Sequence, residues 1–203
     1  TGLSWRGENV RVSFGPPPLD PAFDPQPPWR PLREPRRIVF VILLAVPLGL
    51  AAAVGFAILA LFLAPSGAFV LALDDPVVWL ALLLLVPLHE GCHALALPSS
   101  LASPALVVGF WPRTLLAYVH YQGELTRTRF LVVTLCPLVL LSVLCLAAIR
   151  FVPPLETFAF ALGLFNAVGA GGDLLATALV LAQVPRNGRL RNQGWYTYWR
   201  PAS

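Results

Sequence analysis

Polar and apolar positions fall into long blocks along this chain. No charged residue interrupts Ile38 to Ala64, a stretch of about 40 Å as a helix. Further apolar runs cover Pro76 to Leu97, Phe130 to Ile149 and Leu155 to Val184. Each can cross the roughly 30 Å hydrocarbon layer of a bilayer as a helix, so the pattern predicts transmembrane helices over 38–64, 76–97, 130–149 and 155–184. The first is too long, and too far from the start, for the apolar segment of a signal peptide. The fourth exceeds what a bilayer requires, which predicts a tilt or a protruding end.

Between the second and third runs the period changes. Ala105 to Trp111 and Leu115 to Tyr121 are rich in β-branched and aromatic residues and flank Pro112-Arg113-Thr114, which predicts a β-hairpin over 105–121 at the membrane surface. In residues 1–37, prolines from Pro16-Pro17-Pro18 to Pro35 forbid a regular helix. They predict an extended arm that suits a spacer better than a ligand for a proline-binding module. Residues 185–203 read as a basic tail. The expected fold is an all-α integral membrane domain over 38–184, with the short hairpin as its β element.

Composition supports the bilayer reading. The chain is 57% hydrophobic and only 12% charged, with a mean hydropathy of +0.73. Soluble domains carry about 25% charged residues, so a soluble fold is excluded. General disorder is excluded too, because so apolar a chain can bury enough surface to offset its conformational entropy.

The net charge of +4 would suit nucleic acid if it were clustered. Instead Arg6, Arg11, Arg30, Arg33, Arg36 and Arg37 precede the first apolar run, and Arg186, Arg189, Arg191 and Arg200 follow the last. The loop from Pro65 to Asp75 has no arginine, whereas that from Pro98 to Arg129 has Arg113, Arg127 and Arg129. Positive-inside bias puts both termini and the second loop in the cytoplasm and leaves no case for a nucleic-acid partner. Cys92, Cys136 and Cys145 all lie in apolar stretches without metal-ligand spacing, so no disulfide framework is implied.

The second run holds His89-Glu90-Gly91-Cys92-His93, the pattern H-E-x-x-H. Helical positions four apart lie one turn above each other, so His89 and His93 can turn their imidazoles toward one zinc ion. Glu90 then lies beside the water that zinc acidifies to a pKa of about 7, where a carboxylate serves as general base. Chance produces such a match in under about 1% of chains this size. Burying His, Glu and His in a membrane helix also costs several kcal/mol unless partners or a cavity offset it. Pro87 removes the helical donor of the Leu83 carbonyl, and a kink there would open a watery pocket.

A catalytic zinc normally has three protein ligands and one open position. Apart from Glu90, Asp173 is the acid that lies deep within a predicted span, because Glu156 sits at an edge. Asn166, Ala170, Asp173 and Thr177 form one polar or small stripe, and Gly169, Gly171 and Gly172 would let another helix approach closely. Counted from the cytoplasmic ends of their helices, His89 and Asp173 differ in depth by only about 5 Å. Asp173 is therefore the expected third ligand, with Glu124 and Cys92 next in order, and Asn166 a contact for substrate or oxyanion. Cys92 reads first as a small buried hydrophobe, and His120 as a solvated hairpin residue.

Together, His89-Glu90-Gly91-Cys92-His93, Asn166, Gly172-Asp173-Leu174 and the intervening hairpin resemble the bacterial putative zincin peptidases, small membrane proteins related to site-2 proteases. The likeness covers roughly Val77 to Val184. It implies zinc as cofactor, His89, His93 and Asp173 as ligands, and Glu90 as general base. It also implies a peptide or membrane-protein substrate and a place in the bacterial cytoplasmic membrane. Site-2 proteases place glycine after the aspartate, whereas here Gly172 precedes Asp173, which favours the smaller family. The rival readings are a non-enzymatic metal-binding sensor or transporter component, and a scaffold acting through its proline-rich arm.

Overall fold

The computed structural model describes residues 11–72, 74–99 and 103–202. In chain order its elements are strands β1 (Arg11–Phe14) and β2 (Arg30–Pro31), then helices α1 (Ile38–Leu63) and α2 (Pro76–Ala96). Strands β3 (Leu106–Trp111), β4 (Leu116–Tyr121) and β5 (Leu125–Thr126) follow. Helices α3 (Arg127–Phe151), α4 (Glu156–Gly169) and α5 (Gly171–Gln183) lead to strands β6 (Arg189–Gln193) and β7 (Tyr196–Arg200). A helical unit takes in Pro35–Cys92 and Thr134–Ala176; a sheet unit takes in Thr1–Glu34, His93–Val133 and Thr177–Ser203.

In the helical unit, α1, α2 and α3 are long and apolar enough to cross a membrane, and the α4–α5 pair makes a fourth crossing if it is one span. Helix α3 starts before the apolar run, taking in Arg127 and Arg129, because arginine is a good helix former wherever its head reaches polar surroundings. The fourth span expected over 155–184 consists of two helices. Helices α4 and α5 meet at Ala170 with a bend of 43°, in a run rich in glycine, where helices bend most readily. The last bond of α4 runs from the Ala170 N–H to Asn166 O and the first of α5 from the Leu174 N–H to Ala170 O, each at 2.9 Å.

Gly49, Ala53, Phe56 and Ala60 bury one stripe of α1, and α1 packs against α4. Backbone contact sets this packing. A Cβ on Gly49 would fall 2.2 Å from Val168 O, and one on Gly171 would fall 2.3 Å from Ala45 O. Of the three glycines expected to admit a neighbour, Gly171 does so, against α1, whereas Gly169 and Gly172 face open space. Phe160 then stacks on Phe69 at 3.8 Å between centroids and lies 6.3 Å from Phe56. Outward, α1 presents Phe40, Ile42, Leu43, Val54, Leu59 and Phe62, a surface that suits hydrocarbon and not water.

The sheet unit corrects the all-α expectation, because it holds two sheets. The hairpin expected over 105–121 is present as β3 and β4, with Val108 opposite Val119. Leu115 closes its turn in the left-handed region at φ 52°. Strand β1 adds in parallel to β3, giving the order β1-β3-β4. The second sheet has the order β2-β7-β6-β5, so the tail is a hairpin and the leader supplies one strand to each sheet. Residues 1–10 of the arm, Arg6 among them, lie outside the described residues.

Proline richness forbids a helix but not an edge strand, where a missing N–H costs little. What ties the leader down is its polar residues. Arg191 pairs with Asp20 at 2.6 Å and covers the Phe23 ring at 4.3 Å, while the Gln193 amide donates to Asp20 O and Phe23 O. Burial works to raise the Asp20 pKa, but the Ala22 N–H and Arg191 outweigh it and hold the carboxyl below its ordinary value. His120 is buried on β4 rather than solvated, and its Nε2 has no hydrogen-bond partner. Burial first, and Arg11 second, push its pKa down to about 4.

Glu34 accepts the Thr197 N–H at 2.8 Å, and burial pushes its pKa up to about 7 against the lowering effect of that bond. A carboxyl whose pKa is raised on folding contributes stability below its unfolded value near 4.5 and loses it as pH rises through 7. Glu34→Gln keeps an acceptor for Thr197 without the charge. It should therefore raise the melting temperature at pH 8 and change it little at pH 4.5, as thermal scans across that window will record. An equal shift at both pH values would refute the burial argument.

Candidate metal centre

Helix α2 remains one helix through Pro87, so the H-E-x-x-H spacing keeps its one-turn geometry. The ligand atoms of His89, Glu90 and His93 all lie within 4.8 Å of one another, and all three residues are half-buried. Each histidine is oriented by an acceptor on its Nδ1. His93 Nδ1 lies 2.8 Å from Val133 O, and a carbonyl can only accept, so Nδ1 carries the hydrogen. His89 Nδ1 lies 2.9 Å from Asn166 Oδ1. The amide of Asn166 has a settled direction, because its Nδ2 donates to Pro137 O at 3.0 Å. His89 therefore also donates from Nδ1, and in both rings Nε2 is left as the basic nitrogen.

One proline in α3 organises both acceptors. Pro137 has no N–H to give to the carbonyl four residues earlier, which is Val133 O, and this is the oxygen that His93 takes. The carbonyl of Pro137 itself holds Asn166. Neither role was anticipated from sequence, although the signal was available: a proline inside an apolar span marks an unsatisfied carbonyl that needs a donor.

Asp173 reaches the site through His89, with Oδ2 at 3.1 Å from His89 Nε2. With Nδ1 already protonated, Nε2 of a neutral ring offers a lone pair to a carboxylate, and only a proton or a cation between them relieves the repulsion. Two ligands held about 2.0–2.1 Å from one tetrahedral zinc stand about 3.3 Å apart. The spacing to His89 fits that arrangement, whereas the carboxylate in the group whose ligand atoms all lie within 4.8 Å of one another is that of Glu90, and Asp173 stands outside that group. The competing third ligands are engaged elsewhere: Glu124 pairs with Arg200 at 3.0 Å, and Cys92 is buried against Cys136.

Asn166 is fully buried and both its polar atoms face protein partners. The geometry therefore points to positioning His89 in place of the substrate or oxyanion contact expected from sequence. Loss of such an outer partner typically weakens metal binding about 10–100-fold. Asn166→Ala should show that loss in a chelator-competition titration, and a wild-type zinc affinity would dismiss the positioning role.

No curated protein and no solved structure matches the chain. A family profile does, over residues 82–188, which spans the H-E-x-x-H helix, the hairpin, the third helix and the Asn166–Asp173 stripe. The chain thus belongs to the family described as "Putative zincin peptidase".

Proposed function

We propose that this chain is a membrane-embedded zinc metallopeptidase related to site-2 proteases, acting on a peptide or membrane-protein substrate. The observation that carries the reading is the matched pair of Nδ1 bonds, His89 to Asn166 and His93 to Val133, which leave Nε2 as the basic nitrogen on both histidines of an H-E-x-x-H helix, that of His89 at 3.1 Å from Asp173 Oδ2. His89 and His93 would hold the metal, with Asp173, at 3.1 Å from His89, as the third ligand. Zinc, when bound, polarises the scissile carbonyl and acidifies the attacking water. Glu90, adjacent to His89 on the same helix, takes the proton from that water and returns it to the leaving amine. The half-burial of the group limits bulk water, which strengthens these charges. In the order β1-β3-β4 the outer edge of the hairpin is that of β4, which suits an extended substrate, the form that proteolysis generally needs.

Arginine distribution supports an orientation with both termini inside and Asp74 and Asp75 outside, and the resemblance supports a bacterial cytoplasmic membrane. The deciding test of the reading is metal analysis of protein purified without chelators. About one zinc per chain is expected, falling to a trace in His93→Ala. Metal-free wild-type protein would overturn the reading.

A further inference from the structure

Arg30, Pro31, Arg33, Ala182, Gln183 and Trp199 line a cavity of about 480 Å³ in the sheet unit. Both arginines are exposed at its rim, the guanidinium of Arg30 resting on an aromatic ring and Arg33 fixed through its main chain. Arg30 sits over the Trp199 ring at 5.5 Å, and the Gln183 side chain clamps the main chain of Arg33 by accepting its N–H at 2.8 Å and donating to its carbonyl at 3.2 Å. Four arginines of this unit spend donors on the protein, Arg11 on Gln122, Arg191 on Asp20, Arg200 on Glu124 and Arg127 on Leu181 O. Among the described residues, no side-chain or carbonyl acceptor engages the guanidinium of Arg30 or Arg33, and no carboxylate lines the cavity. Two positive forks beside an aromatic wall complement a phosphate, which guanidinium binds in paired fashion.

The position of the cavity selects the source of that phosphate. Ala182 and Gln183 are the last residues of α5, which ends the fourth apolar crossing, and only a short link through Arg36 and Arg37 separates Arg33 from the first residue of α1. Membrane crossings end at the headgroup layer, where tryptophan and arginine anchor and basic pockets take anionic headgroups. The geometry points to a binding site for the phosphate of an anionic phospholipid, held between Arg30 and Arg33 on the cytoplasmic face. The site rests on reading α1 and α4–α5 as membrane crossings, and it is independent of the zinc chemistry.

The test uses full-length protein reconstituted in phosphatidylcholine micelles, with phosphatidylglycerol added at rising mole fraction. Phosphatidylglycerol should raise the melting temperature by about 3 °C or more over the same addition of phosphatidylcholine. Arg30→Gln/Arg33→Gln should lose most of that rise while keeping its main-chain bonds to Gln183, and Arg113→Gln, in the hairpin turn, should retain it. An equal rise with both lipids, or an undiminished rise in the double variant, would overturn the site. A full rise from inorganic phosphate alone would make it a site for a free anion, and a rise from an acidic peptide but not from lipid would assign it to a protein segment; either result overturns the lipid assignment. Flotation with phosphatidylcholine liposomes separates the two premises, because protein that does not insert removes the membrane crossings themselves.

Discussion

Glu90→Gln should abolish peptide hydrolysis while leaving the zinc in place. General base catalysis by a positioned carboxylate contributes about 10²–10⁴-fold, and the amide cannot take the proton from the attacking water. The loss should therefore be at least about 10²-fold in kcat, measured with a fluorogenic peptide library on reconstituted protein, with zinc content near that of the wild type. Since Asn166 and Val133 hold the Nδ1 atoms of His89 and His93, their ligation should survive loss of this carboxylate. Retained turnover would move the proton transfer to another group, and loss of zinc with turnover would make Glu90 a ligand. A wild-type protein that binds zinc yet cleaves nothing would favour the sensor or transporter reading, for which Glu90 is dispensable.

The apolar blocks were legible because a bilayer demands long uninterrupted runs, and three helices end within a few residues of where those runs end. The H-E-x-x-H group was legible because its spacing is a property of one helix. What stayed hidden depended on tertiary partners. A glycine-rich run was read as a surface for close approach, which Gly171 fulfils, but the bend at Ala170 needs the packing of α4 and α5 against neighbours to choose a direction. The leader's strands were hidden by its prolines, since the bonds that pin it down come from Arg191, Gln193 and Thr197 far along the chain. Asn166 was recognised as a member of the polar stripe, while its role depended on Pro137, in a different helix.

The bend also bears on Asp173. Because α5 starts afresh at Gly171, Asp173 falls in the first turn of a helix, where the positive end of the macrodipole favours a carboxylate. Two roles therefore compete for one side chain, a ligand beside His89 and a favourable charge at a helix start. They differ in size and in readout. The helix-start effect is worth about 0.3–1 kcal/mol, which would lower the melting temperature of Asp173→Ala modestly and leave metal binding alone. Loss of one of three protein ligands should instead weaken zinc affinity by about 100-fold or more, since even outer partners account for about 10–100-fold. Asp173→Asn, which keeps an oxygen donor without the charge, should fall between Asp173→Ala and the wild type in zinc affinity. Measuring zinc affinity and thermal stability of the metal-free protein on both variants separates the roles. Full zinc occupancy in Asp173→Ala, at concentrations where the wild type is just saturated, would remove Asp173 from the ligand set and leave its carboxylate as the charge that starts α5.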